Sequence, residues 1–264
     1  MFKTRCVSFV KTCRRGLAEA AQTPFPHIFR TLNLGDAGEL KNRILMGSMH
    51  TGLEEPGLFG NLGEMAEFYR VRATAGLIVT GGISPNSDGA GYFGAAQLSS
   101  ASGVKKHEIV TKAVHEAGGR IAMQILHTGR YAYHFAPVSA SDIKSPIGSR
   151  KPKALSSSDI QRTIDDFVKC AVFAKQAGYD GVEVMGSEGY LINQFLCTRT
   201  NKRTDEWGGS YENRMRFPIE IMKRLRAAVG TDFIIIYRLS MLDLVDNGST
   251  WYLTLFYHTE LALS

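Results

Sequence analysis

Five short apolar runs in the sequence end on residues that could do chemistry. NRILMGSMH (42–50) finishes with Gly47, Ser48, Met49 and His50, and LIVTGGI (77–83) carries Gly81 and Gly82. RIAMQILH (120–127) supplies Gln124 and His127, VEVMGSEGY (182–190) runs out at Tyr190, and DFIIIYRLS (232–240) holds Arg238. If these ends converge, they assemble a hydroxyl, a bare glycine backbone, an amide, a phenol and a guanidinium. The expected site has no acidic cluster and no set of metal ligands. It suits a flat, electron-rich, hydrogen-bonding ligand better than a cation.

The elements that must position these residues alternate. Leu62, Met65, Phe68 and Tyr69 share one face of a helix predicted over 62–74. A second helix is predicted over 104–119, stopping at paired glycines. A third, over 156–179, opens with a Ser/Asp signal and carries an apolar stripe at Ile160, Ile164, Phe167, Val168, Ala171 and Ala174. A fourth, over 211–230, ends in glycine. Strands are expected at 42–49, 76–83, 120–127, 180–186 and 232–240. The β-α-β order implies parallel strands with crossover helices, and such folds place their sites at the C-terminal strand ends. No GxGxxG motif follows the first strand, which favours a (β/α)8 barrel over a dinucleotide-binding sheet. About five of the eight β/α units are present. His107, His115 and His134 read as surface histidines.

Composition bounds the rest. The 264 residues are 44% hydrophobic and 21% charged, ordinary for a soluble globular protein. No apolar run approaches the ~18 residues of a membrane helix. The formal net charge is +6, but Lys3, Arg5, Lys11, Arg14 and Arg15 supply most of it, so no nucleic-acid partner is expected. Residues 1–18 are basic and acid-free, which predicts a mitochondrial leader over 1–23, with a disordered basic tail and a cytoplasmic chain as the alternative. The cysteines are Cys6, Cys13, Cys170 and Cys197; no CxxC pair exists for zinc or an iron–sulfur cluster.

The segments LKNRILMGSMHTGLEE, LIVTGGI, QILHTGR, YDGVEVMGSEGYLINQFL and WGGSYENRMRF, in that order, resemble the flavin barrel of the Old Yellow Enzyme family. Within it the chain is most similar to the bacterial-type NADPH-dependent 2,4-dienoyl-CoA reductases, from about Pro26 to about Asn247. The resemblance implies FMN across the barrel mouth. Ser48 and Met49 would contact the flavin, with His50 beside them; Gly82 would let the ring lie against the backbone. Gln124 would pair with the pyrimidine edge, and Arg238 would sit by the N1/C2 end. Tyr190 would protonate an enoyl or dienoyl thioester after hydride transfer, with NADPH as reductant, and Arg199 would contact the substrate. Structural readings stand beside these: an internal ion pair for Arg238, rim packing for Tyr190, turn formation for Gly81 and Gly82, a solvated charge for Arg199. His127 and Arg130 read as structural.

Set against that family, the expectation is a partial barrel over 24–248 followed by a divergent tail over 249–264. The iron–sulfur cluster and FAD segments of the full-length family are not expected. An alternative to the enzyme is therefore a catalytically inactive truncated fragment, or a half barrel completed by a partner, with self-association through the open sheet edge.

Overall fold

The computed structural model describes residues 24–55 and 61–250. The expected leader lies outside them, as does all but the start of the expected tail. Five parallel strands form one curled sheet in the order β3-β4-β5-β8-β9: β3 (Leu45–Met46), β4 (Leu77–Ile83), β5 (Ile121–Ile125), β8 (Gly181–Gly186) and β9 (Ile234–Leu239). This is a wall of a (β/α)8 barrel, as expected. The predicted strands are trimmed at their ends, because the residues beyond them turn away to build loops.

Helices α1 (Leu62–Arg70), α2 (Ala101–Glu116), α3 (Ser157–Gln176) and α5 (Tyr211–Val229) carry the chain between strands. Their starts follow from capping. Asn61 Oδ1 accepts from Gly63 N at 2.8 Å. Ser156 and Asp159 form a reciprocal capping box at α3, each bond 3.1 Å. Ser100 caps α2, which begins three residues before the predicted start.

Alternation along the strands sorts the core. Ile78, Met123, Val182 and Val184 face the helices and pack with Phe167, Ile221 and Leu225. The opposite face presents Leu77, Val79, Ala122 and Ile234. A short antiparallel hairpin, β1 (Leu32–Asn33) with β2 (Glu39–Leu40), plugs that face from below through Leu32 and Leu40. The sequence periodicity did not expose this hairpin, since two-residue strands have no period to read. The two-residue strands β6 (Val138–Ser139) and β7 (Lys153–Ala154) pair in the loop between β5 and α3, and the short helix α4 (Leu191–Leu196) follows β8.

The register between β4 and β5 shifts between Val79 and Gly82. This bulge changes the phase of β4, so that Gly82 stands opposite Gln124 on the inner face. Gly81 turns toward the chain after β3, where an added Cβ would lie 2.8 Å from Met49 O.

One histidine reading is corrected. His107 is buried at 6% exposure, with Nδ1 2.9 Å from the Tyr179 hydroxyl. It lies on the inner side of α2 and pins that helix to the turn before β8. Burial lowers its pKa to about 4, and burial lowers that of His127, behind β5, to about 3.

A pH dependence follows from those depressed values. The unfolded imidazole titrates near ~6.5, so between about pH 6.5 and pH 4 the unfolded chain binds protons that the folded chain refuses. Stability should therefore fall as pH drops through that window. In urea denaturation series from pH 7 to pH 4.5, His107→Gln should reduce the slope by up to ~1.4 kcal/mol per pH unit, one proton's worth. An unchanged slope would show that His107 is not held neutral.

Candidate active site

The C-terminal ends of the five strands enclose a cavity of about 490 Å³. Its floor is built by Ser48 after β3, Gly82 on β4, Gln124 on β5, Met185 on β8 and Arg238 on β9. Tyr92, Tyr131, Tyr133 and Tyr190 form an aromatic wall, with His50 and Glu55 at one rim. Each strand contributes from its inner face, so the same alternation that builds the core aims these side chains.

A hydrogen-bond network joins the floor. Gln124 Nε2 donates to Ser48 Oγ and to Glu183 Oε1, both at 2.7 Å. Arg238 Nη1 donates to Ser48 Oγ at 3.0 Å, and its Nη2 donates to Glu188 Oε1 at 2.7 Å. Ser48 Oγ thus accepts two bonds, which leaves its own hydroxyl proton to be donated into the cavity. Only a glycine fits at 82: a Cβ there would sit 2.8 Å from Leu126 Cβ and 3.0 Å from Gln124 Oε1.

Tyr190 is presented by a turn at the end of β8. Gly189 has φ +78° and Glu188 φ +60°, a left-handed pair that an L residue such as Glu188 adopts only at some cost. The turn is held by Glu188 N donating to Ser240 Oγ at 3.1 Å, Gly189 N to Asn193 Oδ1 at 2.9 Å and Gln194 Nε2 to Gly189 O at 2.7 Å. Tyr190 then caps α4, half-buried, with its ring edge-on to Tyr131 at 5.9 Å. Burial raises its phenol pKa first; the Glu188 carboxylate and Tyr131 add to the rise, and Arg238 opposes it.

Ser48, His50, Gly82, Gln124, Tyr190 and Arg238 are brought together as expected. Two expected contacts are not. Met49 is half-exposed outside the lining. Arg199 is exposed on the loop after α4 and its Nη1 donates to Asp246 O at 3.3 Å. No acidic cluster is expected at the site, yet four carboxylates stand at it: Glu55 and Glu188 line the cavity, and Glu54 and Glu183 are buried beside lining residues. Each has a partner: His50 Nδ1 lies 2.5 Å from Glu54 Oε1, and Ala96 N donates to Glu55 Oε2 at 2.8 Å. Among the described residues no group of three or more such side chains could hold a metal ion. Charge spacing along the chain could not reveal Glu183 and Glu188 as site residues, because their partners Gln124 and Arg238 come from other strands. His127 and Arg130 are buried, in keeping with structural roles.

The family model described as the NADH:flavin oxidoreductase / NADH oxidase family matches residues 27–261. The "Metal reductase" of Desulforamulus reducens is 39% identical over 218 residues, covering 80% of this chain and 32% of its own length. Among solved structures, a 2-naphthoyl-CoA reductase in complex with 2-naphthoyl-CoA superposes with a TM-score of 0.82 at 30% identity, over 90% of this chain and 39% of that one. The Old Yellow Enzyme homologue of Zymomonas mobilis gives 0.79 at 31% identity, over 90% and 71%. The chain spans about a third of the length of the first curated relatives it matches.

The opposed charges beside Tyr190 make its ionisation a direct probe of the site. Glu188→Gln removes a neighbour that raises the phenol pKa, so the tyrosinate should form at lower pH. Arg238→Ala removes the one that lowers it, so the tyrosinate should form at higher pH. Absorbance titration at alkaline pH, with Tyr190→Phe subtracted, reads both shifts; shifts of the same sign would break the assignment.

Proposed function

The chain belongs to the NADH:flavin oxidoreductase family, that of the Old Yellow Enzymes, and we propose that it is an FMN-dependent reductase of α,β-unsaturated carbonyl compounds. One observation carries this reading. A bare glycine floor is edged by a hydroxyl, an amide and a guanidinium, with the phenol of Tyr190 lining the same cavity. These residues fit an isoalloxazine. Gly82 leaves room for a ring against the backbone, Ser48 and Gln124 match its polar edge, and Arg238 suits the end where reduction places negative charge.

Bound FMN would supply the redox step, passing a hydride equivalent from a reduced nicotinamide to the β-carbon of the substrate. The protein's residues do the remainder. Tyr190 holds a proton for the α-carbon. Burial and Glu188 keep that phenol protonated in the resting site, and Arg238, the neighbour that favours its ionised form, eases the loss of the proton. Tyr92, Tyr131 and Tyr133, with Ile147, line the cavity with apolar and aromatic surface that suits a flat conjugated acyl group. We propose a 2,4-dienoyl-CoA thioester as that group, with NADPH as reductant, as in fatty acid β-oxidation. The relative crystallised with 2-naphthoyl-CoA supports a thioester of this shape. Arg199, exposed on its loop, is proposed to meet the polar part of such a substrate outside the cavity, and Met49 and His50 to border the flavin. The basic, acid-free residues 1–18 support import into mitochondria; a fusion of residues 1–23 to a fluorescent protein should co-localise with them, and a diffuse signal would reject this.

One observation favours a second reading, a barrel wall completed by another polypeptide and without catalysis of its own. Among the described residues, β3 and β9 are each paired on one side only. Absorbance of the purified full chain separates the readings. A flavin band near ~450 nm, released on denaturation, supports the reductase, and a colourless protein that takes up no FMN supports the second. In the first case Arg238→Ala should weaken FMN binding by ~1–3 kcal/mol, as loss of a charge-assisted bond does. Tyr190→Phe should slow dienoyl-thioester reduction by ~10²–10⁴-fold while retaining flavin; equal loss of both would make Tyr190 structural.

A further inference from the structure

Glu183 has no part in the reaction proposed above, yet it stands directly under the cavity floor. It is buried at 4% exposure on the inner face of β8 and, among the described residues, forms no ion pair. The β5–β8 register places it opposite Gln124. The Gln124 Nε2 group meets Glu183 Oε1 and Ser48 Oγ, each at 2.7 Å.

The two partners differ in what they demand. A hydroxyl can donate or accept, so Ser48 would satisfy either end of an amide. A carboxylate only accepts, so Glu183 admits the NH₂ end alone. Both Nε2 protons are then used below and beside the floor. Oε1 is left beside Gly82, 3.0 Å from where a Cβ would stand, and among the described residues no donor reaches it.

We infer that Glu183 is a positioning residue that fixes the Gln124 amide with its carbonyl toward the ligand. The site thereby selects a planar heterocycle that offers a ring N–H opposite Gln124 and an acceptor opposite the Ser48 hydroxyl. This rests on the flavin reading, since the isoalloxazine carries N3–H next to its C4 carbonyl. Met185 Sδ, 3.7 Å from Nε2, also only accepts, but as a weak acceptor; loss of Glu183 removes the strong partner that distinguishes the two ends of the amide.

Two measurements on the full chain test the inference. In the first, FMN and N3-methyl-FMN are titrated against the protein and followed by quenching of flavin fluorescence. Wild type should prefer FMN by about tenfold or more, the worth of one buried hydrogen bond. Glu183→Leu and Gln124→Leu should each bring the preference below about threefold, because the ring N–H no longer meets a fixed acceptor. Glu183→Gln keeps the shape should the leucine variant fail to fold; an amide at 183 can turn either end to Gln124, so the preference should again fall. A preference that survives loss of Glu183 overturns the inference.

The second measurement needs no flavin. The chain has six glutamines, and in protein labelled with ¹⁵N-glutamine the Gln124 side-chain signals are those absent from Gln124→Leu. In wild type these protons should exchange slowly with solvent and resonate away from free-glutamine positions. In Glu183→Leu they should move toward them, and identical signals in the two proteins overturn the inference. A wild type that binds neither flavin would reject the flavin reading, while the amide signals still decide the role of Glu183.

Discussion

The structure depends on a sheet whose two faces do different work. A parallel strand covered on both sides cannot be amphipathic in the ordinary sense, and its residues read as one apolar run. Here alternate residues along each run have separate fates. Met123, Val182 and Val184 lock the sheet to its helices, while Ala122 and Ile234 lie over the β1–β2 plug. One layer above that plug the same inner face turns polar, with Gln124, Glu183 and Arg238 in adjacent strands. The outer face gives these polar residues rigid backbones, and the plug denies them water from below. A register slip of one residue would send Gln124 into the helix layer and Met123 into the cavity.

The bulge in β4 shows how narrowly this is set. Counting by twos from Leu77 and Val79 would put Gly81 on the inner face. The shift between Val79 and Gly82 substitutes Gly82. Gly81 instead packs against the segment after β3, donating its N–H to the Tyr69 hydroxyl at 3.1 Å. Two consecutive glycines therefore answer two different close approaches, one to the Leu126 and Gln124 side chains and one to the backbone after β3.

Much of this was legible in the sequence because it is periodic. The helices and inner strands have clear stripes or apolar runs, and the strand-end residues Ser48, Gln124, Tyr190 and Arg238 stand where parallel folds place their chemistry. What could not be read was pairwise. Glu183 looks like an interruption in VEVMG until Gln124 is seen opposite it. His107 looks like a polar residue on α2 until Tyr179 arrives from a turn that is 72 residues away in sequence. Arg199 follows a family motif, but the loop after α4 turns its guanidinium to Asp246 O. The hairpin plug was invisible because its strands are two residues long, and its worth lies wholly in what it covers.

The acids around the cavity explain how a site for an electron-rich ligand tolerates negative charge. Each carboxylate is engaged by a neighbour: Glu54 by His50 and Thr51, Glu55 by the Ala96 backbone, Glu183 by the Gln124 amide, Glu188 by Arg238. Their charge is spent orienting donors and the guanidinium rather than meeting the ligand. Glu188 is the exposed member of the set, held at φ +60° on the turn that also presents Tyr190. A ligand that drew Arg238 toward itself would loosen the hold on Glu188, and with it the balance of charges that sets the Tyr190 phenol. On the proposed reading, the flavin edge and the proton donor would be tied through one guanidinium, so that filling the first would change the field at the second.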